Sequence, residues 1–183
     1  MFRSAEHKTL GAKIGEIGFT VFLMWFGMLA VVSFFKAIGL ASVDFGTSMP
    51  VMGATLNYWL QSHSLSLGQA LTSPFVVMQV LIIIFGAPFL EEIIFRGPCR
   101  ALSDKEGTLR PEFLFVVLGW SFIAFGLAHG YGYFSVLLQG VGGLFLARLW
   151  FRNGPSRFGS YFSSVAAHSL YNISVVITTW LWM

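Results

Sequence analysis

The sequence contains little cysteine and little charge. Its 183 residues include one cysteine, Cys99, which excludes an intramolecular disulfide and the usual cysteine-based metal sites. Only 10% of the residues are charged, whereas about a quarter are charged in an average soluble domain. Because 56% are hydrophobic, the polar side chains are too few to cover a soluble core. The composition therefore excludes a soluble globular protein and indicates an integral membrane protein.

The net charge of +3 is the one feature that would suggest a nucleic-acid partner. In a membrane protein a basic excess more often reflects topology. We therefore expect the lipid bilayer as a partner and no nucleic acid.

Five apolar runs have about the length needed to cross a bilayer. They cover residues 17–35, 74–95, 113–128, 131–147 and 161–182. They predict an all-α, polytopic transmembrane helix bundle, with residues 1–183 as a single integral membrane domain and 74–182 carrying the chemistry. The first run lacks a cleavage signal, so we interpret it as a retained span. Residues 41–73 fit an external loop, a re-entrant pair or an interfacial helix equally well.

The basic residues indicate the orientation of these spans. Ten of the eleven fall on one side of a five-span layout, and only Lys36 falls on the other. The ten are Arg3, Lys8, Lys13, Arg96, Arg100, Lys105, Arg110, Arg148, Arg152 and Arg157. By the positive-inside rule, the N-terminus is predicted to be cytoplasmic.

The stretch "FLEEIIFRG", residues 89–97, places three charges at the end of an apolar run. A charged side chain deep in a bilayer costs roughly 3 kcal/mol or more, so such residues usually face the protein interior or a water-filled cavity. On a helix, Glu92 and Arg96 share a face as an i, i+4 pair. Glu91 lies about 100° around the helix and is left without an obvious partner, which suits it to proton transfer. A purely structural Glu92–Arg96 clamp is an equally good interpretation.

Two further motifs supply candidate groups to meet these acids. "FGLAH" ends at His129, and "HSLYN" places His168 and Asn172 four residues apart. Residue 110 is midway in sequence between Glu91 and His129, so helices meeting near that link would hold both at similar depth. Alone, either histidine would more often be a packing residue, and an intramembrane asparagine often joins helices. Together they predict one pocket.

"EEIIFRG", "FGLAH" and "HSLYN", in this order on successive spans, resemble the CAAX protease and bacteriocin-processing (CPBP) family of glutamic-type intramembrane proteases. The family motifs read E-E-x-x-x-R, F-x-x-x-H and H-x-x-x-N/D, and all three are complete here. The resemblance covers residues 91–172. It implies a peptide hydrolase whose catalytic residues are Glu91, Glu92, Arg96, His129, His168 and Asn172.

The resemblance also implies a role for each of these residues. Glu91 would be the general base that activates a water molecule, and His129 would help to hold or deprotonate that water. Glu92 and Arg96 would brace the helix end.

In the same scheme, His168 and Asn172 would donate hydrogen bonds to the oxyanion of the tetrahedral intermediate. No cofactor or metal is needed, and Cys99 has no evident base that would make it a nucleophile. The substrate would be a membrane-embedded or lipid-anchored protein or peptide in a prokaryotic inner membrane. Bacteriocin-like peptides, sorting tails and prenylated tails stay open, as does the oligomeric state, although "GVGG" at 140–143 favours close helix packing within the chain.

Two alternatives lead to different chemistry. Glu91, Glu92, His129 and His168 would make a plausible zinc shell, but the H-E-x-x-H motif is missing. Acid–histidine networks also serve in proton-coupled carriers, and a non-catalytic immunity or scaffold protein would retain the motifs without activity. A carrier usually shows inverted repeats or paired broken helices, and neither is evident in the sequence.

Overall fold

A computed structural model of the protein describes residues 9–39, 72–104, 108–129, 132–153 and 157–181. These residues form five helices: α1 Leu10–Ala37, α2 Pro74–Ala101, α3 Pro111–Ala128, α4 Gly132–Arg152 and α5 Arg157–Leu181. Within the described residues, β-structure is limited to one bridge between Ser103 and Leu109, in the link from α2 to α3. The fold is all-α, a polytopic membrane helix bundle as predicted. Residues 41–71, which include most of the undecided 41–73 region, lie outside the described ranges.

Among the described residues, α1, α2 and α3 are long and apolar enough to cross a membrane by length and composition. Helices α4 and α5 have 21 and 25 residues, enough for a hydrocarbon core of about 30 Å at about 1.5 Å per residue. Large apolar side chains point outward from the bundle, among them Phe22, Phe26, Phe85 and Phe115. This distribution matches a surface in contact with lipid rather than water.

All five helices are longer than the apolar runs that predicted them, and α1 and α2 exceed their runs by the most. Helix α1 begins at Leu10 instead of residue 17 because the Thr9 hydroxyl caps it, accepting a hydrogen bond from Ala12 N at 3.3 Å. Helix α2 continues past residue 95 to Ala101, with Pro98 inside it.

Helices α4 and α5 hold the bundle together. Helix α4 packs against α1, α3 and α5, whereas α5 packs against α1, α2 and α4. Their facing sides contribute Leu146, Leu149, Ala167 and Tyr171 to the main hydrophobic core, which Phe125 joins from α3.

Glycines on α4 let it lie directly against α3. A Cβ atom added at Gly143 would overlap the carbonyl oxygen of Ser121, and one at Gly140 would overlap that of Phe122. Both carbonyls belong to a π-helical segment, Trp120–Ala124. The "GVGG" glycines therefore pack within the chain.

An ion pair joins α1 and α4. Glu16 Oε1 lies 2.8 Å from Arg152 Nη2, and Glu16 Oε2 lies 3.5 Å from Arg148 Nη1. The start of α1 and the end of α4 are therefore at the same end of the bundle, as a five-span layout requires.

Candidate active site

The carboxylate of Glu92 is held on both oxygens. Oε1 lies 3.1 Å from His168 Nδ1. Oε2 accepts a hydrogen bond from the hydroxyl of Ser164, one turn before His168 on α5, and lies 3.3 Å from Arg96 Nε. The side chains of Glu92 and Arg96 are fully buried, so no surface of Glu92 is open to a substrate or to solvent.

The carboxylate of Glu91 has different surroundings. Its side chain is 22% exposed, and Oε2 lies 3.6 Å from His129 Nε2 and 3.7 Å from His168 Nε2. These distances are longer than direct hydrogen bonds, and Oε2 has no hydrogen-bond partner among the described residues. Of the two adjacent acids, Glu91 is therefore the one whose side chain is partly exposed.

The other ring nitrogens fix the orientation of both imidazoles. His129 Nδ1 lies 2.8 Å from the carbonyl oxygen of Phe125, which can only accept, so Nδ1 carries the hydrogen. By the same reasoning His168 Nδ1 donates to the Glu92 carboxylate. Both Nε2 atoms consequently face Glu91, each with a lone pair in the neutral ring.

Phe125 is the wall between these groups. Its ring is buried, with centroid distances of 4.7 Å to His129 and 5.9 Å to His168. The Arg96 guanidinium lies over it, 4.8 Å from the ring centroid, where a cation–π interaction is favourable. None of the three nitrogens of Arg96 makes a hydrogen bond among the described residues. Its contact with Glu92 is thus a charge contact without hydrogen-bond geometry.

Asn172 contacts a different group. Its Nδ2 donates to the carbonyl oxygen of Ile83 at 3.0 Å. Ile83 lies in the π-helical segment Ile82–Gly86 of α2, and such segments leave backbone carbonyls displaced from the regular ladder. This bond ties α5 to α2 about two turns before Glu91 along α2.

The six residues of the sequence motifs thus differ in their contacts. The structure brings together Glu91, Glu92, Arg96, His129 and His168, whereas the contact of Asn172 is with the backbone of α2. Sequence reasoning missed Ser164. The available signal was its spacing, because Ser164, His168 and Asn172 are four residues apart and share one face of α5.

Among the described residues, no group of three or more His, Cys, Asp or Glu side chains is arranged to hold a metal ion.

A groove of about 610 Å³ lies on another side of α2. Its lining residues are Phe89, Ile93, Gly97, Arg100, Ala101, Trp150 and Tyr161. Ile93 is about 200° around the helix from Glu91, at about 100° per residue. The groove therefore lies away from the acids and histidines.

Fold and site together define a class: an integral membrane protein with an acid–histidine site enclosed between its helices. A comparison with protein families gives the particular family. The one described as Type II CAAX prenyl endopeptidase Rce1-like matches residues 73–174, more than half of the chain, and the protein belongs to it. At the level of the family, it is a CAAX-type intramembrane protease, a peptide hydrolase that works in the bilayer on membrane-associated substrates. No curated protein and no solved structure matches the chain significantly.

Proposed function

We propose that the protein is an endopeptidase that uses water activated by Glu91 to hydrolyse a peptide bond in a membrane-anchored or apolar-tailed protein or peptide. The observation that carries this proposal is the contrast between two adjacent carboxylates. Both oxygens of Glu92 are engaged inside the protein. Among the described residues Oε2 of Glu91 has no hydrogen-bond partner, and the Glu91 side chain is partly exposed. Of the two, only Glu91 is free to receive a proton from water.

In the proposed reaction, the water oxygen bonds to the peptide carbonyl carbon while Glu91 takes one of the water protons. The carbonyl electrons move onto the carbonyl oxygen, which becomes an oxyanion. When the C–N bond breaks, Glu91 returns the proton to the leaving amine. General acid–base catalysis of this kind contributes about 10²- to 10⁴-fold to the rate. His129 Nε2, on the side of Glu91, accepts a hydrogen bond from the same water and orients it.

His168 and Asn172 are proposed to stabilise the oxyanion. His168 donates through Nε2 when its ring carries both protons, and the adjacent carboxylate of Glu92 balances the charge of that form. Asn172 uses one amide hydrogen on Ile83 and keeps the second for the substrate. A donor held in place for a developing negative charge contributes about 3 kcal/mol.

The placement of the site supports a substrate that arrives through the bilayer. Three of the described helices are apolar enough to span it, and two of these, α2 and α3, carry Glu91 and His129. We propose processing of C-terminal tails, removal of sorting tails or maturation of peptides, in a prokaryotic inner membrane. We also propose that the N-terminus lies in the cytoplasm, as the positive-inside rule predicts.

The test reconstitutes the purified protein in liposomes with membrane proteins from a bacterial host and identifies new peptide termini by mass spectrometry. We expect cleavage with the wild type, and loss of at least a hundredfold with Glu91→Gln and His129→Gln. Glu112→Gln is the matched control, because Glu112 is an exposed carboxylate in the first turn of α3. Equal cleavage by Glu91→Gln and the wild type would refute the role of Glu91.

A chelator arm of the same experiment addresses the zinc alternative. The proposal expects identical termini with and without chelator. Activity that disappears with chelator and returns with added zinc would instead establish a metalloprotease. A scaffold or immunity protein would give no new termini with any variant.

A further inference from the structure

Three groups converge on the Glu92 carboxylate, and they do not bind it equally. His168 Nδ1 and the Ser164 hydroxyl donate hydrogen bonds to different oxygens. Arg96 supplies the balancing charge from 3.3 Å without hydrogen-bond geometry. Ser164 is therefore the group that occupies Oε2, leaving Oε1 for His168.

Arg96 is a competitor for the same carboxylate. Its three guanidinium nitrogens make no hydrogen bond among the described residues, although the side chain is fully buried. A buried arginine without hydrogen bonds is stabilised most by a bidentate hydrogen bond to a carboxylate. If Oε2 were released, Glu92 could rotate onto Arg96 and withdraw Oε1 from His168. The Ser164 hydroxyl prevents that rotation.

The consequence reaches His168 through its ring hydrogen. Glu92 fixes the hydrogen of the His168 ring on Nδ1. The other ring nitrogen, Nε2, therefore faces Glu91 and lies 3.7 Å from its Oε2. Without an acceptor at Nδ1, the neutral ring is free to move its hydrogen to Nε2 or to turn. The doubly protonated ring that is proposed to bind the oxyanion also loses the carboxylate that balances its charge. In metal and triad sites, the partner of the second ring nitrogen sets tautomer and orientation in the same way.

We infer that Ser164 is a positioning residue that holds Glu92 in the orientation which fixes the tautomer of His168. The inference rests on the proposed function for its kinetic effect, but not for its effect on the His168 ring. Ser164 lies outside the three sequence motifs and, being fully buried, contacts no substrate.

Kinetics of Ser164→Ala test the first consequence. We expect kcat to fall roughly tenfold to a hundredfold, the range for a hydrogen bond to a charged group, with KM nearly unchanged because Ser164 lies away from the substrate. Ser163→Ala is the matched control. Ser163 is also buried, and its hydroxyl donates to the Gly159 carbonyl oxygen in its own helix, at 2.7 Å. Its kcat should stay near that of the wild type.

Nitrogen NMR of the histidine rings tests the second consequence without reference to activity. The chain has four histidines, so the His168 signals can be assigned by their loss in His168→Gln. We expect a protonated, hydrogen-bonded Nδ1 in the wild type and in Ser163→Ala, and a mixture of tautomers in Ser164→Ala. Ser164→Cys keeps the volume with a weaker donor. It gives the same test if the alanine variant yields too little folded protein.

The outcomes separate the inference from the proposed function. An unchanged His168 tautomer in Ser164→Ala overturns the inference, whatever its activity. A loss of kcat matched by Ser163→Ala also overturns it, since the cause would then be helix packing. If the tautomer shifts in Ser164→Ala but Glu91→Gln remains active, the positioning role stands and the proposed role of Glu91 fails.

Discussion

Replacing Gly143 by alanine tests whether the close approach of α4 to α3 shapes the site. The added Cβ would overlap the Ser121 carbonyl oxygen and lie 2.9 Å from Cδ1 of Phe125. The first obstacle is backbone, which cannot turn away as a side chain can. Phe125 is the wall that touches His129, His168 and Arg96. A displacement of α3 would therefore reach the site.

The expected change in the free energy of unfolding of Gly143→Ala follows from two opposing effects. Overpacking of a tight contact costs about 1–3 kcal/mol, while alanine in place of helical glycine returns at most about 1 kcal/mol. We expect a net loss of about 1–2 kcal/mol in the free energy of unfolding. Activity should fall further, by up to about a hundredfold, because a shift of about 1 Å at a catalytic group has that effect.

The assay is thermal unfolding in detergent together with peptide cleavage in liposomes. Gly142→Ala is the control, because among the described residues its Cβ would meet only the flexible Met24 Cε atom, at 3.4 Å. That variant should be at least as stable and as active as the wild type. If Gly143→Ala behaves like Gly142→Ala in both measurements, the close approach does not determine the position of α3.

Three further predictions address other contacts. Glu92→Gln should lower the free energy of unfolding by about 3 kcal/mol or more, because it leaves the buried Arg96 charge unbalanced; a melting temperature equal to the wild type's would contradict this. Arg152→Gln should cost at most about 1 kcal/mol, since its ion pair with Glu16 is partly exposed; the loss should shrink in high salt, and melting curves at two salt concentrations check it. Cys99→Ala should retain cleavage activity, and the wild-type thiol, 1% exposed, should react with a maleimide only on unfolding. Rapid labelling of folded protein, followed by mass spectrometry, would show that the buried position is wrong.

The helical fold and the pairing on α2 were accessible from the sequence because they depend on local spacing. Apolar runs of membrane length predict helices, and the i, i+4 rule predicts the contact of Glu92 with Arg96, which the structure has at 3.3 Å. The direction of Glu91, about 100° away, follows from the same helix geometry.

The link between α2 and α3 does not match the residue count from which Glu91 and His129 were predicted to lie at similar depth. The backbone bond from Arg110 N to Leu102 O, 3.2 Å long, places the two helix ends side by side. From there Glu91 is ten residues into α2 and His129 is at the far end of α3, just past Ala128. Equal counts from residue 110 therefore did not describe the meeting of Glu91 with His129. The structure nevertheless brings the two side chains within 3.6 Å. It does so through the packing of α2 against α3 and α5, which no local pattern encodes.

The contacts of Ser164 and Asn172 were inaccessible for a related reason. Serine is common in α5. The four-residue spacing places Ser164 on the face of His168, but it does not show that Ser164 reaches Glu92 on α2, whereas Ser163 bonds its own helix. Asn172 meets Ile83 in a π-helical segment of α2, and such irregular turns are not visible in hydrophobic periodicity.

The pairing of Glu92 with Arg96 on one helix also bears on how the protein enters the membrane. Each charge alone would add roughly 3 kcal/mol to the cost of inserting α2. Since the two lie one turn apart on the same segment, they balance each other as soon as that turn forms. His168 and Ser164 belong to α5, which is synthesised more than 50 residues later. Arg96 therefore balances the charge of Glu92 while α2 inserts into the bilayer. When α5 packs against α2, Ser164 and His168 then fix the orientation of the Glu92 carboxylate.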